Sequence, residues 1–576
     1  MELIWKYKEV ENNLVKQVAE EFQLPEVYAR VMTLRGITDR EKSRKFFYSG
    51  ISKIHDPFLM KNMDTAVDKI LNQIKQKKPI LVFGDYDVDG TSGTAMLYLF
   101  LKSIGADTHF YIPDRITEGY GLSEKGIEFA ELIGADLLVT CDCGINAVEM
   151  VEFANKKDID VIITDHHVPD KILPSAYAIL NPNQVDCDYP FKGLCGAGVA
   201  FKLALAITKK ENLDPNLAWQ HSDLIALGTA ADIVPIVDEN RIIVEQGIKL
   251  IQKCSKPGIK ALLQTAGLLN KDITVGRLVF WMAPRINAAG RLGDAGRSVK
   301  LMATNNPVFA RELASELEVE NTRRQKITAD VVDEAIYQVN SKHDVENEHA
   351  IILSNEHWHH GVVGIVASRI KELYYRPTIV ISVDEDGIGT GSCRSIPSFN
   401  MYDALSECGD LLDGFGGHPI AAGLTIRKDN IPEFCERFGE ISRSWISKDK
   451  LIPVIEIDAK LDIKTLDSRF INFLKTLAPY GPGNMRPKFL SKNVSIIGFP
   501  KLIGKESDTL KFQIRAGKNI IDVIGFKMGN HYEKLLVNTK VDLLYEIGEN
   551  VWNGVRKVQL ELKDIKLCGD FLDLEE

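Results

Sequence analysis

Acidic and histidine side chains follow three short apolar runs of this 576-residue chain. GDYDVDG at 84–90 comes after ILVF, CD at 141–142 after LLVT, and DHH at 165–167 after VIIT. Groups that follow the carboxyl ends of parallel strands converge on one crevice of an open sheet. Carboxylates brought together there repel one another unless a cation neutralises them, and a mixed oxygen and imidazole set suits manganese, magnesium or zinc. The pattern therefore predicts a metal centre.

Each of these aspartates also has a simpler explanation. Aspartate commonly caps the helix that follows a βα loop, so Asp89 or Asp165 taken alone is more typical of a cap than of a ligand. The metal hypothesis depends on three loops supplying the same kind of group. Cys141 and Cys143 flank the second aspartate, but without a further cysteine or histidine pair at ligand spacing they predict buried thiols in preference to a zinc site.

The elements that must position these residues predict an α/β fold. Apolar runs at 79–83, 109–112, 137–140 and 161–164 alternate with helical segments, which predicts βαβ units and a parallel sheet. A long amphipathic helix with a charged middle, from 307 to 339, is typical of a bridge between two domains. Strand and helix patterns between 350 and 382 predict a second α/β region, and the β-like runs after 450 have the spacing of a small barrel.

These patterns divide the chain into five predicted parts. Residues 1–50 form a helical cap on the first core, because Leu14, Val18 and Phe22 recur every fourth residue. Residues 51–305 form the first α/β domain, 306–340 the linker helix, 341–450 the second α/β domain and 451–576 the barrel.

Composition limits what the chain can do. With 45% hydrophobic and 26% charged residues and no apolar window of about 18 residues, it is typical of a globular protein without a membrane span. The N-terminus shows no secretory signal, so we expect a cytoplasmic protein. Nine cysteines without a CxxC pair argue against a disulfide framework. Because the net charge is −10, an anionic ligand would need local basic groups or metal ions.

Four motifs in order resemble the DHH phosphoesterase superfamily: GDYDVDG at 84–90, VTCDCG at 139–144, TDHH at 164–167 and GTAADIVP at 228–235. The resemblance implies a centre of two divalent ions, with manganese favoured over magnesium, held by Asp85, Asp87, Asp89, Asp142, His166 and Asp232. The catalytic residues it implies are Asp87, Asp142, His166, His167 and Asp232. Small-molecule members often begin the first motif with histidine, whereas Phe83 and Gly84 stand here, so the choice among the first three aspartates stays open. His167 either contacts the scissile phosphate or orients the centre.

Segments beyond this core resemble the RecJ family of exonucleases, at 181–204, 283–297, 389–423 and 477–489. The resemblance covers residues from about 75 to 565 and departs locally at Met485, where the family usually has proline. It implies two α/β domains joined by a long helix, followed by a C-terminal OB-like barrel. It also implies a single-strand-specific 5′ to 3′ DNA exonuclease of repair and recombination, with water as the nucleophile.

The same resemblance implies the substrate contacts Arg285, Arg291, Ser392, Arg394, Gly416, Gly417 and His418. Arg285 and Arg291, on a loop of small residues, would grip phosphate, although such a pair alone would be typical of ordinary surface arginines. Ser392 and Arg394 would hold the 5′-terminal phosphate. The glycine-glycine-histidine loop would cradle phosphate oxygens with its backbone amides.

The predicted barrel carries basic side chains among aromatic ones, at Lys501, Lys505, Lys511, Arg515, Lys518 and Lys527 and at Phe512, Phe526 and Trp552. An oligonucleotide-binding fold uses this mixture to track the backbone and stack bases, but lysines on short strands are equally ordinary protection of sheet edges. With the family resemblance, binding of single-stranded DNA is the prediction.

Two other functions stay open. A DHH phosphodiesterase of short oligonucleotides or cyclic dinucleotides is generally a smaller protein without the barrel. A non-catalytic DNA-binding replication protein would have lost the motif carboxylates, which are intact here. Beyond single-stranded DNA, the partners considered are single-strand-binding protein and a RecQ-type helicase, with no membrane and a monomeric state expected.

Overall fold

The structure, a computed structural model, describes residues 3–48, 50–115, 117–504, 506–535, 540–552 and 555–568. The chain divides into two compact units. One comprises residues 53–452, and the other comprises residues 1–52 with residues 453–576. Every helix in the described part of the chain is too short or too polar to cross a bilayer.

The described elements are numbered in chain order. The strands are β1 Ile4–Tyr7, β2 Ile80–Gly84, β3 Thr108–Tyr111, β4 Leu137–Cys141, β5 Asp160–Thr164, β6 Ala178–Leu180, β7 Ile351–Asn355, β8 Thr378–Val383, β9 Ile388–Arg394, β10 Leu412–His418, β11 Ala421–Arg427, β12 Val454–Ile457, β13 Ala459–Lys460, β14 Lys488–Ile503, β15 Thr509–Ala516, β16 Asn519–Gly525, β17 Lys540–Trp552 and β18 Val555–Leu567. The α-helices are α1 Asn12–Phe22, α2 Glu26–Thr33, α3 Arg40–Phe47, α4 Met63–Lys75, α5 Val88–Ser103, α6 Glu124–Leu132, α7 Val148–Asn155, α8 Gly196–Lys210, α9 Asn216–Trp219, α10 Ser222–Ala231, α11 Asp238–Lys253, α12 Pro257–Thr265, α13 Val275–Arg277, α14 Ala283–Leu292, α15 Gly296–Ala303, α16 Pro307–Lys342, α17 His360–Tyr374, α18 Met401–Ser406, α19 Ile431–Trp445 and α20 Ser468–Thr476.

A five-stranded parallel sheet, in the order β3-β2-β4-β5-β6, organises the first half of the 53–452 unit. Successive residues of a strand point to opposite faces, and helices cover both faces here. Val82 and Val139 lie in the apolar cluster on one face, and Leu81 and Leu138 lie in the cluster on the other. The predicted parallel βαβ sheet is confirmed, and its strand ends carry the acidic motifs.

The second half of this unit contains a mixed sheet, in the order β10-β11-β9-β8-β7. The long helix α16 connects the two halves, as the sequence predicted. Its residues Leu313 and Leu317 pack into the core of the first half. Val331 and Val339 pack with β7 and α17 in the second half. One helix therefore takes part in two apolar cores, which fixes the two α/β halves relative to each other.

The other unit is built on a closed barrel. Its strands follow the order β13-β14-β15-β16-β18-β17, and β14 also pairs with β17, which closes the sheet. Closure removes the unpaired edges that an open antiparallel sheet would expose. The predicted small C-terminal barrel is confirmed.

The helices of residues 1–52 differ from the prediction of a cap on the first α/β core. They belong to the barrel unit, where β1 pairs in parallel with β12. Val31 is fully buried in the barrel's apolar cluster. The Tyr28 ring lies 4.8 Å from the Phe470 ring and 4.7 Å from the Phe473 ring of α20. Apolar periodicity identifies the buried face of a helix but not the domain that covers it.

Tyr28→Ala tests this pairing of the chain's two ends. Loss of the aromatic contacts should destabilise the barrel unit by about 3 kcal/mol. Hydrogen exchange followed by mass spectrometry should then show faster exchange in peptides of α20 and β14, with peptides of β2 and β4 unchanged. Tyr48→Ala, at a side chain that is 80% exposed, is the control. Faster exchange confined to residues 12–33 would show that these helices do not support the barrel.

Candidate active site and nucleic-acid interface

The first acidic motif occupies the turn between β2 and α5. Asp87 is the N-cap of α5, and its Oδ1 accepts a hydrogen bond from the Gly90 N–H at 3.0 Å. The Asp85 N–H donates to the Cys141 carbonyl at 3.2 Å. A Cβ at position 90 would lie 2.5 Å from the Asp85 carbonyl oxygen, so only glycine allows α5 to approach so closely. The turn thereby holds Asp85 and Asp87 together at the end of β2.

Asp89 is buried in the first turn of α5 and accepts two backbone hydrogen bonds. The Gly196 N–H donates to its Oδ2 at 2.6 Å, and the Ala197 N–H donates to its Oδ1 at 3.1 Å. The carboxylate therefore anchors the N-terminus of α8. It also lies with His166 and Asp232 in a group whose ligand atoms are within 4.8 Å of one another. Direct contact between Asp89 and an ion stays a prediction.

Asp142, His166 and Asp232 meet next to these residues. Asp142 follows β4 in the left-handed conformation, with φ of 64°, and a Cβ on Gly196 would lie 2.4 Å from its Cβ. His166 Nε2 lies 3.2 Å from Asp142 Oδ1 and 3.5 Å from Asp232 Oδ2. Asp232 stands at the C-terminal end of α10. All four sequence motifs therefore converge on one point.

Four buried atoms of this cluster have no hydrogen-bond partner among the described residues: Asp85 Oδ1, Asp142 Oδ1, His166 Nε2 and Asp232 Oδ2. Burial and the neighbouring Asp89 raise the pKa of Asp232 to about 8. Burial and neighbouring aspartates also raise the pKa values of Asp85 and Asp142 well above the usual range. Unpaired buried carboxylate oxygens are costly, and oxygen and imidazole donors together fit divalent cations. The residues present therefore fit the metal centre that the motifs imply.

Asp165 orients the histidine pair. Its Oδ1 accepts hydrogen bonds from the His166 N–H at 2.7 Å, the His167 N–H at 3.1 Å and His167 Nδ1 at 2.7 Å, and its Oδ2 accepts one from the Ile145 N–H at 3.0 Å. Burial opposes ionisation of Asp165, but the hydrogen bond from His167 lowers its pKa. Burial disfavours the His167 imidazolium, but the same contact raises the His167 pKa to about 9. The pair keeps His167 in place beside the cluster.

A cavity of about 260 Å³ adjoins the acidic cluster, and its lining includes four residues that the sequence did not single out: Tyr86, Arg115, Tyr120 and Asn287. The guanidinium of Arg115 lies 5.1 Å from the centroid of the Tyr86 ring. Tyr86 is within the first motif, but Arg115 belongs to no pattern that could have revealed it. Arg291 lines the same cavity, and burial together with Arg115 lowers its pKa to about 10. Two arginines next to a cation site suit a bound phosphate.

Arg285 departs from the prediction that it grips phosphate beside Arg291. Its guanidinium forms an ion pair with Glu318 of α16 and donates to the Trp281 carbonyl. The predicted loop is in fact the helix α14, and positions six residues apart on a helix point to different sides. Arg285 therefore fastens α14 to α16, and Arg291 alone of the two lines the cavity.

Ser392 and Arg394 lie together on β9, where Arg394 Nη1 donates to Ser392 Oγ at 3.1 Å. A Cβ on Gly364 of α17 would lie 3.1 Å from Ser392 Oγ and 3.2 Å from Arg394 Nη2. Arg291 Nη1 donates to the carbonyl of Gly361, one turn earlier on the same helix, at 2.9 Å. The first turn of α17 thus brings Arg291 close to the S-x-R pair.

The glycine-glycine-histidine segment ends the exposed strand β10. Gly417 has φ of 141°, and a Cβ there would lie 2.5 Å from the Ala421 carbonyl oxygen, so this position requires glycine. A Cβ on Gly416 would meet open space. His418 lines a second cavity, which His167 also lines. A phosphate contact by these residues stays a prediction.

The barrel surface corrects one aromatic assignment. Phe512 is 2% exposed and belongs to the barrel core, so it cannot stack on a base. Phe526 is 58% exposed, and Phe499, which the sequence did not single out, is 79% exposed. Lys501 and Lys511 are paired neighbours on β14 and β15. Lys505 and the side chain of Trp552 lie outside the described residues.

Three family models match the chain. The DHH family N-terminal domain matches residues 79–229, the DHHA1 domain matches 347–444, and the RecJ OB domain matches 457–564. These ranges contain the parallel sheet, the mixed sheet and most of the barrel.

Curated relatives are similar over nearly the full chain. The single-stranded-DNA-specific exonuclease RecJ of Bacillus subtilis is 36% identical over 97% of this chain and 70% of its own length. The Escherichia coli protein of the same name is 34% identical over 94% of this chain and 96% of its own. The crystal structure of Thermus thermophilus RecJ in complex with Mn²⁺ superposes with a TM-score of 0.82, at 28% identity, covering 99% of this chain and 81% of that one.

Opposite stability effects of two nearby substitutions test the metal assignment. Asp142→Asn removes a charge from a crowded, unpaired site, so in EDTA it should stabilise the protein by about 1 kcal/mol, and it should abolish the rise in Tm caused by Mn²⁺. Asp165→Asn should instead destabilise the metal-free protein by about 1–3 kcal/mol, because it weakens four hydrogen bonds.

Thermal unfolding with and without Mn²⁺ measures both effects. Asp165→Asn is the matched control, since it removes the same charge from a carboxylate whose partners are all protein groups. If Asp142→Asn destabilised the metal-free protein as strongly as Asp165→Asn, Asp142 would be a structural residue and the metal assignment would fail.

Proposed function

This chain belongs to the RecJ family, and we propose that it is a metal-dependent exonuclease that hydrolyses single-stranded DNA from the 5′ end. The single observation that carries the proposal is an acidic cluster next to a cavity lined by Arg115 and Arg291. Four buried atoms of the cluster, on Asp85, Asp142, His166 and Asp232, have no hydrogen-bond partner among the described residues. The carboxylates can bind divalent cations, and the arginines can bind a phosphate. Together they would suit a phosphodiester bound to metal ions.

Divalent cations held by Asp85, Asp142, His166 and Asp232, with manganese favoured over magnesium, would polarise the phosphodiester and activate water. The chain's own residues supply the positioning. His167 uses Nδ1 for its hydrogen bond to Asp165, and its Nε2, which lies 3.4 Å from the Tyr120 hydroxyl, would contact an oxygen of the scissile phosphate. Asp89 fixes the start of α8, against which Asp142 packs.

The polarity would come from Arg291 and the Ser392–Arg394 pair. Arg291 and the Ser392–Arg394 pair flank the first turn of α17, and a terminal phosphate bears more charge than an internal diester. A strand whose 5′-phosphate rests on these groups would place its first internucleotide phosphate at the acidic cluster. Cleavage at that phosphate releases one nucleotide from the 5′ end.

The barrel would hold the rest of the strand. Exposed Phe499 and Phe526 offer surfaces on which bases can stack, and Lys501 and Lys511 offer charge for the backbone. The barrel unit carries 28 lysines and arginines against 25 aspartates and glutamates, in a chain whose net charge is −10. The unit with the stacking surfaces therefore also carries the more favourable charge for DNA.

Two alternatives receive less support. A phosphodiesterase of short oligonucleotides or cyclic dinucleotides would not explain the barrel. A non-catalytic replication protein would not explain the acidic cluster. Single-strand-binding protein and a RecQ-type helicase as partners, a monomeric state, a cytoplasmic location and a role in repair and recombination stay predictions.

An assay on end-labelled DNA tests the function and its polarity. With Mn²⁺, the protein should release mononucleotides from the 5′ end of single strands and leave blunt duplex intact. Arg394→Ala should lower kcat/KM on 5′-phosphorylated strands by a factor equivalent to about 1.5–3 kcal/mol of transition-state free energy, because these strands lose a charge-assisted contact. It should leave kcat/KM on 5′-hydroxyl strands little changed.

Arg369→Ala, at a partly exposed arginine on α17, is the matched control. An equal loss on both kinds of end would show that Arg394 does not bind the terminal phosphate. Nucleotide release from the 3′ end alone would overturn the proposed polarity.

The barrel's role is tested separately with Phe499→Ala and Phe526→Ala. Each should weaken binding of a long single strand in EDTA by about 1–3 kcal/mol, since each removes one stacking surface. Fluorescence anisotropy measures the affinity, with Tyr48→Ala as an exposed aromatic control in the same unit. Affinities equal to that of the control would place DNA binding elsewhere.

A further inference from the structure

A second and larger cavity, of about 520 Å³, adjoins the acidic cluster. One wall is formed by the segment from Gly144 to Met150, which contains the start of α7. Asp165, His167 and Val168 form another wall, and His418 of β10 reaches it from the second α/β half. The proposed function assigns no ligand to this space, whose volume is typical of pockets for small organic ligands.

Tyr120 lines both cavities. Its ring centroid lies 6.5 Å from that of Tyr86 on one side and 5.8 Å from that of His167 on the other. Its hydroxyl donates to the Asp142 carbonyl at 3.2 Å. The tyrosine is therefore fixed to the loop that carries Asp142, beside the acidic cluster.

The two cavities differ in chemistry. Arg115 and Arg291 line the smaller one, whereas no lysine or arginine is among the described residues that line the larger one. Its surface includes the apolar side chains of Leu122, Val148 and Val168. Glu149 and Asp165 also line the larger cavity, and their carboxylates disfavour a phosphate there. The smaller cavity therefore suits phosphate, and the larger one suits an uncharged ring beside the aromatic side chains of Tyr120, His167 and His418.

We propose that the larger cavity is the subsite for the nucleoside immediately 3′ of the scissile phosphate. This inference rests on the proposed function. If the 5′-phosphate lies by Arg291 and Arg394, the terminal nucleotide occupies the smaller cavity and the scissile phosphate lies at the acidic cluster. The next nucleoside then leaves on the other side of Tyr120, where its base can lie against Tyr120, His418 and the apolar wall.

The subsite adds a reason for single-strand selectivity. A base that enters this cavity has left both its stacked neighbour and its pairing partner, which costs a few kcal/mol in a duplex and much less in a single strand. Base contacts in the cavity offset that cost only when no complementary strand competes. Duplex DNA would therefore be disfavoured at the second nucleotide.

Two matched substrates measure the contribution of this nucleoside. The first is the 5′-phosphorylated thymidine dinucleotide; the second replaces its 3′ nucleoside with a methyl group on the scissile phosphate. In both, water adds to the scissile phosphorus, and the bond from phosphorus to the 3′ oxygen of the 5′-terminal nucleotide breaks. That nucleotide leaves as the alcohol, with a proton on its 3′ oxygen. Wild-type kcat/KM should be at least about tenfold higher for the dinucleotide, which is the value of one base stack.

Val148→Trp should fill the cavity, lower dinucleotide hydrolysis about tenfold and change hydrolysis of the methyl ester by less than about twofold. Val168→Trp, at a side chain that is 66% exposed on the cavity rim, should act in the same direction and is a second variant should the first not fold. Val319→Trp, at an exposed valine of α16, is the control for adding tryptophan.

Equal wild-type rates on the two substrates would overturn the subsite. So would folded tryptophan variants that lower both rates equally, because the cavity would then receive the terminal nucleotide. A wild-type protein that hydrolyses neither substrate but digests longer single strands would place the binding energy outside this cavity and also overturn the inference. Failure on long single strands as well would overturn the proposed function itself.

Discussion

The mutual repulsion of buried carboxylates is the constraint on which this structure depends. Asp85, Asp87, Asp89, Asp142 and Asp232 are brought together at one edge of a parallel sheet, and burial makes each added negative charge more costly. Protein hydrogen bonds could have neutralised the cluster, but four of its atoms have no hydrogen-bond partner among the described residues. The fold therefore carries an electrostatic cost that divalent cations remove.

The surrounding structure holds the carboxylates in place by close packing of its elements. Backbone N–H groups donate hydrogen bonds to the carboxylates of Asp89 and Asp165, which anchor the neighbouring backbone segments. Glycines at 90 and 196 allow α5 and α8 to approach Asp85 and Asp142 more closely than any side chain would permit. Because α16 takes part in the cores of both α/β halves, it fixes the half that carries Arg394 and His418 relative to the half that carries the cluster. The acidic cluster and the arginines of the proposed phosphate site therefore lie in one packed unit.

The sequence predicted the parts of the site that follow strands. Runs of apolar residues marked β2, β4 and β5, and the ends of parallel strands must meet, so the position of the acidic cluster followed from topology. Arg115 and Tyr120 were missed because they lie in irregular segments with no spacing to reveal them. Arg285 was misplaced because the small residues after it suggested a loop, whereas they form the helix α14.

Two features of the barrel unit were also not predicted from the sequence. Leu510, Phe512 and Ile514 alternate with polar residues along β15, and this period of two already indicates that Phe512 lies on the inner face and is not a stacking residue. The position of the N-terminal helices could not be predicted, since their apolar faces would fit any complementary core. Contacts between residues far apart in the chain depend on shape, which local patterns do not encode.

The number of ions bound by the intact chain tests the central claim most directly. Native mass spectrometry of EDTA-treated protein titrated with Mn²⁺ should show two ions per chain, and Asp232→Asn, which removes one of the unpaired carboxylates, should weaken that binding by at least about tenfold. A wild-type chain that binds no Mn²⁺, or an Asp232→Asn variant that binds two ions as tightly as the wild type, would contradict the account.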